Sequence, residues 1–183
     1  MNLLSSRMAL LLGAVLVLGG INVAIWQKQQ TLSHGQLILL KLAPVDPRSL
    51  MQGDYMILRY DLAEQLAEQL TQQLAEQSDL PEKILPPKGQ LLIEQDAQQV
   101  VNHAQLYRGQ PLQPQQHLLN YRERSGQLWL GAESFFFQEG HADHYQPARY
   151  AGLRVAANGQ SVLVSLYDAE QQEIKPPPAN RLR

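Results

Sequence analysis

An uncharged apolar segment near the N-terminus, residues 8–26, most constrains what this chain can fold into. It lies between Arg7 and Lys28 and contains one amide, Asn22. A helix needs about 20 apolar residues to cross the hydrocarbon core of a bilayer, whereas a signal peptide has a shorter apolar run followed by a small-residue cleavage site. We therefore predict an uncleaved transmembrane signal anchor within residues 1–28. A buried core helix and a cleaved signal are the alternatives.

The charges that flank this segment predict its orientation. Arg7 and the amino terminus precede it without any acidic residue, and Lys28 follows it. Basic residues favour the cytoplasmic side, so we expect the N-terminus in the cytoplasm and the following domain on the other side. Trp26 suits an interfacial position at the far boundary. The lipid bilayer is thus the first predicted partner, through residues 8–26.

The overall composition indicates one globular domain with appendages. The chain has 183 residues, of which 44% are hydrophobic and 17% charged, which excludes wholesale disorder. It carries 15 basic and 17 acidic residues, a formal net charge of −2, without a massed basic stripe, so no nucleic-acid partner is expected. Because the chain has no cysteine, disulfides, thiol nucleophiles and cysteine-ligated zinc are excluded.

Beyond a polar spacer at residues 29–35, short apolar runs alternate with turn signals and predict β-strands. The predicted strands are 36–42, 55–60, 91–94, 100–107, 117–124, 127–130, 133–137, 150–156 and 161–167. Ser125-Gly126 and Asn158-Gly159 predict hairpin turns, and we expect positive φ at both positions of the Asn-Gly pair. The predicted fold class is mainly β, an antiparallel barrel or sandwich with one amphipathic helix, preceded by a single N-terminal transmembrane helix.

The amphipathic helix is predicted at residues 61–77. Leucine recurs there at every fourth position with alanine beside it, which gives one broad apolar face. Asp61 and Glu64 are a plausible capping pair at its start. The β-rich exported domain therefore covers residues 36–170, and the Pro-rich, basic tail at 171–183 is predicted to be disordered.

An octamer in the second predicted strand carries a resemblance to a known family. Residues 53–60 read Gly-Asp-Tyr-Met-Ile-Leu-Arg-Tyr and match the pattern Gly-Asp-Tyr-x-x-Leu-x-Tyr at every defined position. Over roughly residues 36–167 the chain resembles the GDYxxLxY family of membrane-anchored bacterial proteins of unknown function. The resemblance implies a membrane-tethered exported domain, of a kind often encoded near large polytopic membrane proteins, and with the predicted anchor it leads us to expect a single-pass protein of the bacterial inner membrane with its C-terminal domain in the periplasm and a polytopic membrane protein as partner. It implies no catalytic residue.

Period-two geometry divides the octamer between two faces of a strand. Met56, Leu58 and Tyr60 share one face, on which Leu58 and Tyr60 are expected in the core, while Tyr55 and Arg59 share the second face. The motif is either purely architectural or part of a polar recognition patch that includes the preceding loop. The candidate interaction residues are Asp46, Arg48, Gly53, Asp54, Tyr55, Leu58, Arg59 and Tyr60.

A second candidate site lies between the predicted strands 133–137 and 150–156. Four potential metal ligands occur within six residues there, namely Glu139, His141, Asp143 and His144. Imidazole and carboxylate groups are common zinc ligands, so the segment is either a metal site or a plain surface loop. No cofactor is predicted.

These observations lead to two functional hypotheses of different classes. The first is a membrane-tethered periplasmic accessory or interaction module that partners a polytopic inner-membrane protein. The alternative is an envelope hydrolase or metal-dependent enzyme that uses the cluster at residues 139–144. Whether the protein is an enzyme stays open, and the absence of a nucleophile elbow or phosphate loop favours the first hypothesis.

Overall fold

The computed structural model describes residues 3–43, 51–52, 55–76 and 86–177. Among the described residues there are three helices, α1 (Leu3–His34), α2 (Asp61–Glu76) and α3 (Ala142–Tyr145). The ten strands are β1 (Gln36–Lys41), β2 (Met51–Gln52), β3 (Tyr55–Ile57), β4 (Lys88–Gln95), β5 (Val101–Leu106), β6 (Gln116–Arg124), β7 (Gln127–Trp129), β8 (Ser134–Phe136), β9 (Tyr150–Val155) and β10 (Ser161–Tyr167).

The N-terminal helix α1 is long and apolar enough to cross a membrane by length and composition, and its candidate span lies at Leu11–His34. An 18-residue apolar window within that span has no part buried inside the domain. The predicted polar spacer at residues 29–35 is helical as far as His34, where α1 ends. Its polar last turns contain no proline or glycine that would end a helix. Gly35 ends it, and its amide donates a hydrogen bond to the carbonyl of Thr31 at 2.9 Å.

The strands form three antiparallel sheets. Their strand orders are β1-β9-β10, β2-β3-β8 and β5-β4-β6-β7. Backbone hydrogen bonds join the sheets, for example from Leu39 N to Gln99 O at 2.8 Å and from Asn120 N to Gly159 O at 2.9 Å. The predicted class is confirmed, since an apolar N-terminal helix precedes antiparallel sheets, one of which curls into a half-barrel.

One hydrophobic core lies between these sheets and helix α2. Alternate residues of the strands enter it, as period-two geometry requires, and α2 adds Ala63 and Leu66. Burial of such aliphatic side chains contributes about 1.5–3 kcal/mol each. The largest fully buried side chains are Ile38, Leu40, Leu91, Ile93, Leu119, Leu130, Leu153 and Leu166.

Both predicted hairpins form, but their turns differ. Ser125 and Gly126 have φ of 53° and 81°, so the β6–β7 turn has positive φ at both central positions. The β9–β10 connection is longer than the expected two-residue turn, because Ala156 N bonds to Gln160 O. Gly159 alone takes positive φ there, at 82°. The Asn-Gly pair therefore ends a three-residue loop.

The tail differs from its prediction at its beginning. Residues 171–177 were expected to be disordered, yet Ile174 packs against the core and its amide donates to Leu166 O at 2.8 Å. Tyr167 and Glu173 also form an antiparallel bridge. Ile174 supplies an apolar anchor within an otherwise polar segment, and the rest of the tail, from residue 178, lies outside the described residues.

Candidate functional site

The octamer lies where the smallest sheet meets helix α2. Strands β2 and β3 pair with each other on either side of positions 53 and 54, and β3 pairs on its other edge with β8. Tyr55, Leu58, Arg59 and Tyr60 are described there, whereas Asp46, Arg48, Gly53 and Asp54 lie outside the described residues. Of the recognition patch predicted from the sequence, the structure therefore describes Tyr55 and Arg59.

The predicted division into two faces is confirmed. Met56, Leu58 and Tyr60 are buried, whereas Arg59 is exposed and Tyr55 is half-buried. Backbone hydrogen bonds continue to hold this segment beyond the end of β3. Leu58 N donates to Glu133 O at 2.8 Å, and Ala43 N donates to Arg59 O at 2.9 Å. The motif thus joins the chain before it to the segment that leads into β8.

The final tyrosine of the octamer has several structural roles. The Tyr60 hydroxyl donates a hydrogen bond to the carbonyl of Ala132. The Tyr60 carbonyl accepts from Ala63 N at 3.0 Å and from Glu64 N at 3.2 Å, so it opens helix α2. Burial, and secondarily the carboxylate of Glu133, raises the pKa of Tyr60 far above its usual value. Tyr60 is therefore a neutral hydrogen-bond donor rather than an acid–base group.

A groove of about 410 Å³ opens beside the octamer, and we call it the motif groove. Its floor is the segment from Ile57 to Tyr60, and α2 and the β6–β7 hairpin form its walls. Arg59, Glu64 and Glu133 supply its charged groups, and the remaining lining is mostly apolar. A largely apolar cleft with a few charged groups at hand is the usual form of a binding site for a ligand or a peptide.

An exposed aromatic pair lies on the outer face of the same small sheet. Tyr55 and Phe136 are register partners on β3 and β8, and their ring centroids lie 5.7 Å apart. Phe136 is 74% exposed, while Phe135 and Phe137 turn inward to stack against Tyr145 at 5.0 and 5.4 Å. Three consecutive phenylalanines cannot all face inward, because successive side chains of a strand point to opposite faces. We call Tyr55 and Phe136 the aromatic edge.

Comparison with known protein families shows which family the chain belongs to. Residues 17–166 match the family model described as GDYXXLXY protein. The chain belongs to the GDYXXLXY family. The match covers the second half of α1 and nearly all of the β-rich domain, so the apolar helix and the domain are parts of one family unit. No curated protein and no solved structure matches this chain.

The second candidate cluster of this GDYXXLXY protein lies around the short helix α3. Asp143 accepts a hydrogen bond from Gln146 Nε2 at 2.7 Å, and His144 Nε2 lies 2.8 Å from the carbonyl of Lys175. The side chains of Asp143 and His144 thus contact residues outside the predicted set of metal ligands. Within the described ranges, no three His, Asp or Glu side chains are grouped closely enough to hold a metal ion. The geometry does not gather Glu139, His141, Asp143 and His144, and their metal role stays a prediction.

Three residues that line the motif groove were not among the candidate site residues predicted from the sequence. Glu64, Trp129 and Glu133 come from α2, β7 and the segment before β8. Only the pairing of distant strands brings them to the octamer. The available signal was weak: Trp129 alternates with inward-facing Leu128 and Leu130, so it had to face outward from its hairpin.

Proposed function

We propose that this GDYXXLXY protein is a membrane-tethered accessory module that binds a polytopic inner-membrane protein in the periplasm. Helix α1 serves as its single-pass anchor, and the aromatic edge serves as its docking surface. The observation that carries the proposal is Phe136, a large aromatic side chain with 74% of its surface exposed beside the family octamer.

Burial of the aromatic edge in a complex explains this exposure. Aromatic side chains are enriched at protein interfaces and dominate their binding energy. Phe136 contacts Tyr55 on the neighbouring strand, with 5.7 Å between the ring centroids, and this contact restricts the movement of its ring. Such preorganisation reduces the side-chain entropy lost on binding. The motif groove lies on the adjoining segment and offers a second contact with charged groups at Arg59 and Glu64.

The proposed anchor makes a small interface sufficient. Arg7 precedes the apolar segment, which favours a cytoplasmic N-terminus and a periplasmic domain. A tether in the same bilayer raises the effective concentration of the domain near a membrane partner. The interface can then be modest in area and still be occupied.

Site-specific photo-crosslinking in cells that produce the tagged, full-length chain tests this proposal. A photoreactive residue at position 136 should capture a polytopic membrane protein, identified by mass spectrometry. A matched probe at Leu112, which is 44% exposed in the loop between β5 and β6, should not. Phe136→Ser should abolish co-purification of the captured protein, whereas Leu112→Ser should leave it intact. Equal capture from both positions would refute the docking surface.

A fractionation experiment tests the anchor separately. Alkaline carbonate should fail to extract the full-length chain from membranes, and externally added protease should digest the domain only after the outer membrane is permeabilised. Release by carbonate would refute the anchor. Digestion only after the inner membrane is opened would refute the periplasmic orientation.

A further inference from the structure

A second and larger cleft separates the end of helix α1 from the outer face of the β5-β4-β6-β7 sheet. Its volume is about 870 Å³. Ala24, Gln27 and Lys28 line it on the helix side, and residues of β4, β6 and β7 line it on the sheet side. We call it the interfacial cleft.

The sheet side of this cleft carries an unusual row of side chains. Lys88 on β4 is the register partner of Arg122 on β6, and Arg122 is in turn the partner of Trp129 on β7. Arg124 follows Arg122 by two residues, so it lies on the same face, and its guanidinium lies 5.5 Å from the centre of the Trp129 ring. Like charges directly opposite each other destabilise a sheet. A bound anion between Lys88 and Arg122 would relieve this repulsion.

Positive charge in the cleft is not neutralised by the described residues. Together with Lys28 the lining holds four cations, and Glu133 is its one carboxylate. Glu133 already accepts a hydrogen bond from Gly131 N at 2.7 Å. Among the described residues, the one ion pair joins Lys41 and Asp61, away from this cleft. Among the described residues, the cleft of a chain with a net charge of −2 thus carries an excess of positive charge.

The position of the cleft along α1 indicates the level of the bilayer at which the cleft opens. The apolar segment ends at Trp26, and Lys28 stands two residues further, about 3 Å along the helix axis. The headgroup layer of a bilayer extends roughly 5–7 Å beyond the hydrocarbon core on each side. If residues 8–26 occupy that core, Lys28 lies at the depth of the phosphates. The cleft opens at the same level of the helix because Ala24 and Gln27 also line it.

We propose that the interfacial cleft binds the phosphate of an anionic phospholipid headgroup. Arg122 and Lys88 meet the phosphate oxygens from the sheet, and Lys28 meets them from the helix. Guanidinium and ammonium groups are the usual protein ligands for phosphate oxygens. The partly exposed Trp129 completes the site with an indole, a group that favours the membrane interface. This inference rests on the proposed anchoring by α1, and it adds a ligand that the accessory role does not require.

Tryptophan fluorescence of the full-length protein tests the proposal. The chain has two tryptophans, so Trp26→Phe leaves Trp129 as the reporter in the cleft. The protein in neutral detergent is titrated with phosphatidylglycerol, with phosphatidylcholine and with inorganic phosphate. We expect phosphatidylglycerol to shift the Trp129 emission at concentrations where the other two ligands have no effect.

Matched variants assign the effect to the cleft. Lys88→Gln with Arg122→Gln should weaken phosphatidylglycerol binding roughly thirtyfold, at about 1 kcal/mol for each basic group near an anionic surface. Arg108→Gln with Lys175→Gln removes the same charge from exposed positions outside the cleft lining and should change the affinity less than twofold. Lys28→Gln should weaken binding about fivefold without altering the sheet, which keeps the test valid if the double variant fails to fold.

Each other outcome overturns the proposal. Equal responses to phosphatidylglycerol and phosphatidylcholine would exclude recognition of an anionic headgroup. A response to inorganic phosphate at the same concentration would assign the site to free phosphate instead of lipid. Equal losses in the cleft pair and the control pair would reduce the effect to net charge. Because binding is measured in detergent, these results are independent of carbonate extraction, which reports on the anchor alone.

Discussion

The hydroxyl of Tyr60 donates a hydrogen bond to the carbonyl of Ala132, 72 positions later in the chain. Tyr60 is 2% exposed and Ala132 is 8% exposed, so this bond is shielded from water. It fastens the end of the octamer to the segment that leads into β8, which carries Phe136. The last residue of the octamer therefore holds in place the strand that presents the aromatic edge.

Removing only that hydroxyl should measurably destabilise the domain. Tyr60→Phe leaves the Ala132 carbonyl buried without its partner, which costs about 1–3 kcal/mol. Tyr107→Phe, at a half-buried tyrosine outside the octamer, is the control and should change stability by less than about 0.5 kcal/mol. Denaturant unfolding of the full-length protein in detergent measures both variants. Equal stability of Tyr60→Phe and wild type would show that the bond makes no net contribution.

Substitution of two adjacent phenylalanines should affect the stability of the domain to different extents. Phe135 packs against the core and Tyr145, so Phe135→Ala should cost about 2 kcal/mol or more. Phe136→Ala removes a largely exposed ring and should change stability by less than about 0.5 kcal/mol. Thermal unfolding of the two variants side by side tests this difference. A large loss at position 136 would contradict the assignment of that ring to docking.

Stability should fall as the pH drops below 6.5. His117 Nε2 is buried without a hydrogen-bond partner among the described residues, and burial lowers the pKa of His117 below its ordinary value of 6.5. At pH 7.5 the imidazole is neutral in both the folded and the unfolded chain, so the free energy of unfolding has its full value. Between pH 6.5 and the lower folded pKa the unfolded chain binds more protons, and the stability is lost.

Unfolding midpoints of His117→Gln at pH 7.5 and 5.5 test this linkage. The variant should show a smaller pH dependence than wild type, while His103→Gln, at an exposed histidine on β5, should keep the wild-type dependence. An unchanged pH dependence in His117→Gln would assign the effect to other groups.

The repulsion between Lys88 and Arg122 should be visible in the lipid-free protein. Lys88→Gln should raise the free energy of unfolding by about 0.5 kcal/mol, because like charges on paired strands destabilise each other by roughly that amount. The gain should shrink in high salt, which screens the pair. Denaturant unfolding at low and high salt measures it. A lower stability for Lys88→Gln at both salt concentrations would contradict the repulsion.

Local patterns predicted much of the fold. Alternation of side chains between the two faces of a strand placed Leu58 and Tyr60 in the core, where the structure has them. The predicted helix at residues 61–77 is observed at Asp61–Glu76. Asp61 is its first residue rather than its cap, since Tyr60 contributes the first helical carbonyl, and the Asp61 carboxylate lies 3.6 Å from the Lys41 ammonium.

The remaining features depend on contacts between distant segments. The polar end of α1 resembled a spacer, yet Thr31 is buried against the domain and extends the helix. Ile174 is one apolar residue in a polar tail, and only the exposed edge of β10 gives it a place. Lys88 and Arg122 lie far apart in sequence, so their charges merge only when β4 and β6 pair. No local pattern contains that information.

Gly35 joins the apolar helix α1 to the domain through contacts with both. An added Cβ there would collide with the Thr31 carbonyl, and the Gly35 carbonyl accepts a hydrogen bond from Arg154 Nη1 at 2.9 Å. These contacts restrict rotation of the domain relative to α1. In the anchored state proposed above, α1 therefore sets the height and tilt of the domain above the bilayer, and a partner in the same membrane would meet Phe136 at that height, after lateral diffusion and rotation in the plane of the membrane. Fewer lost degrees of freedom mean a smaller entropic cost of association.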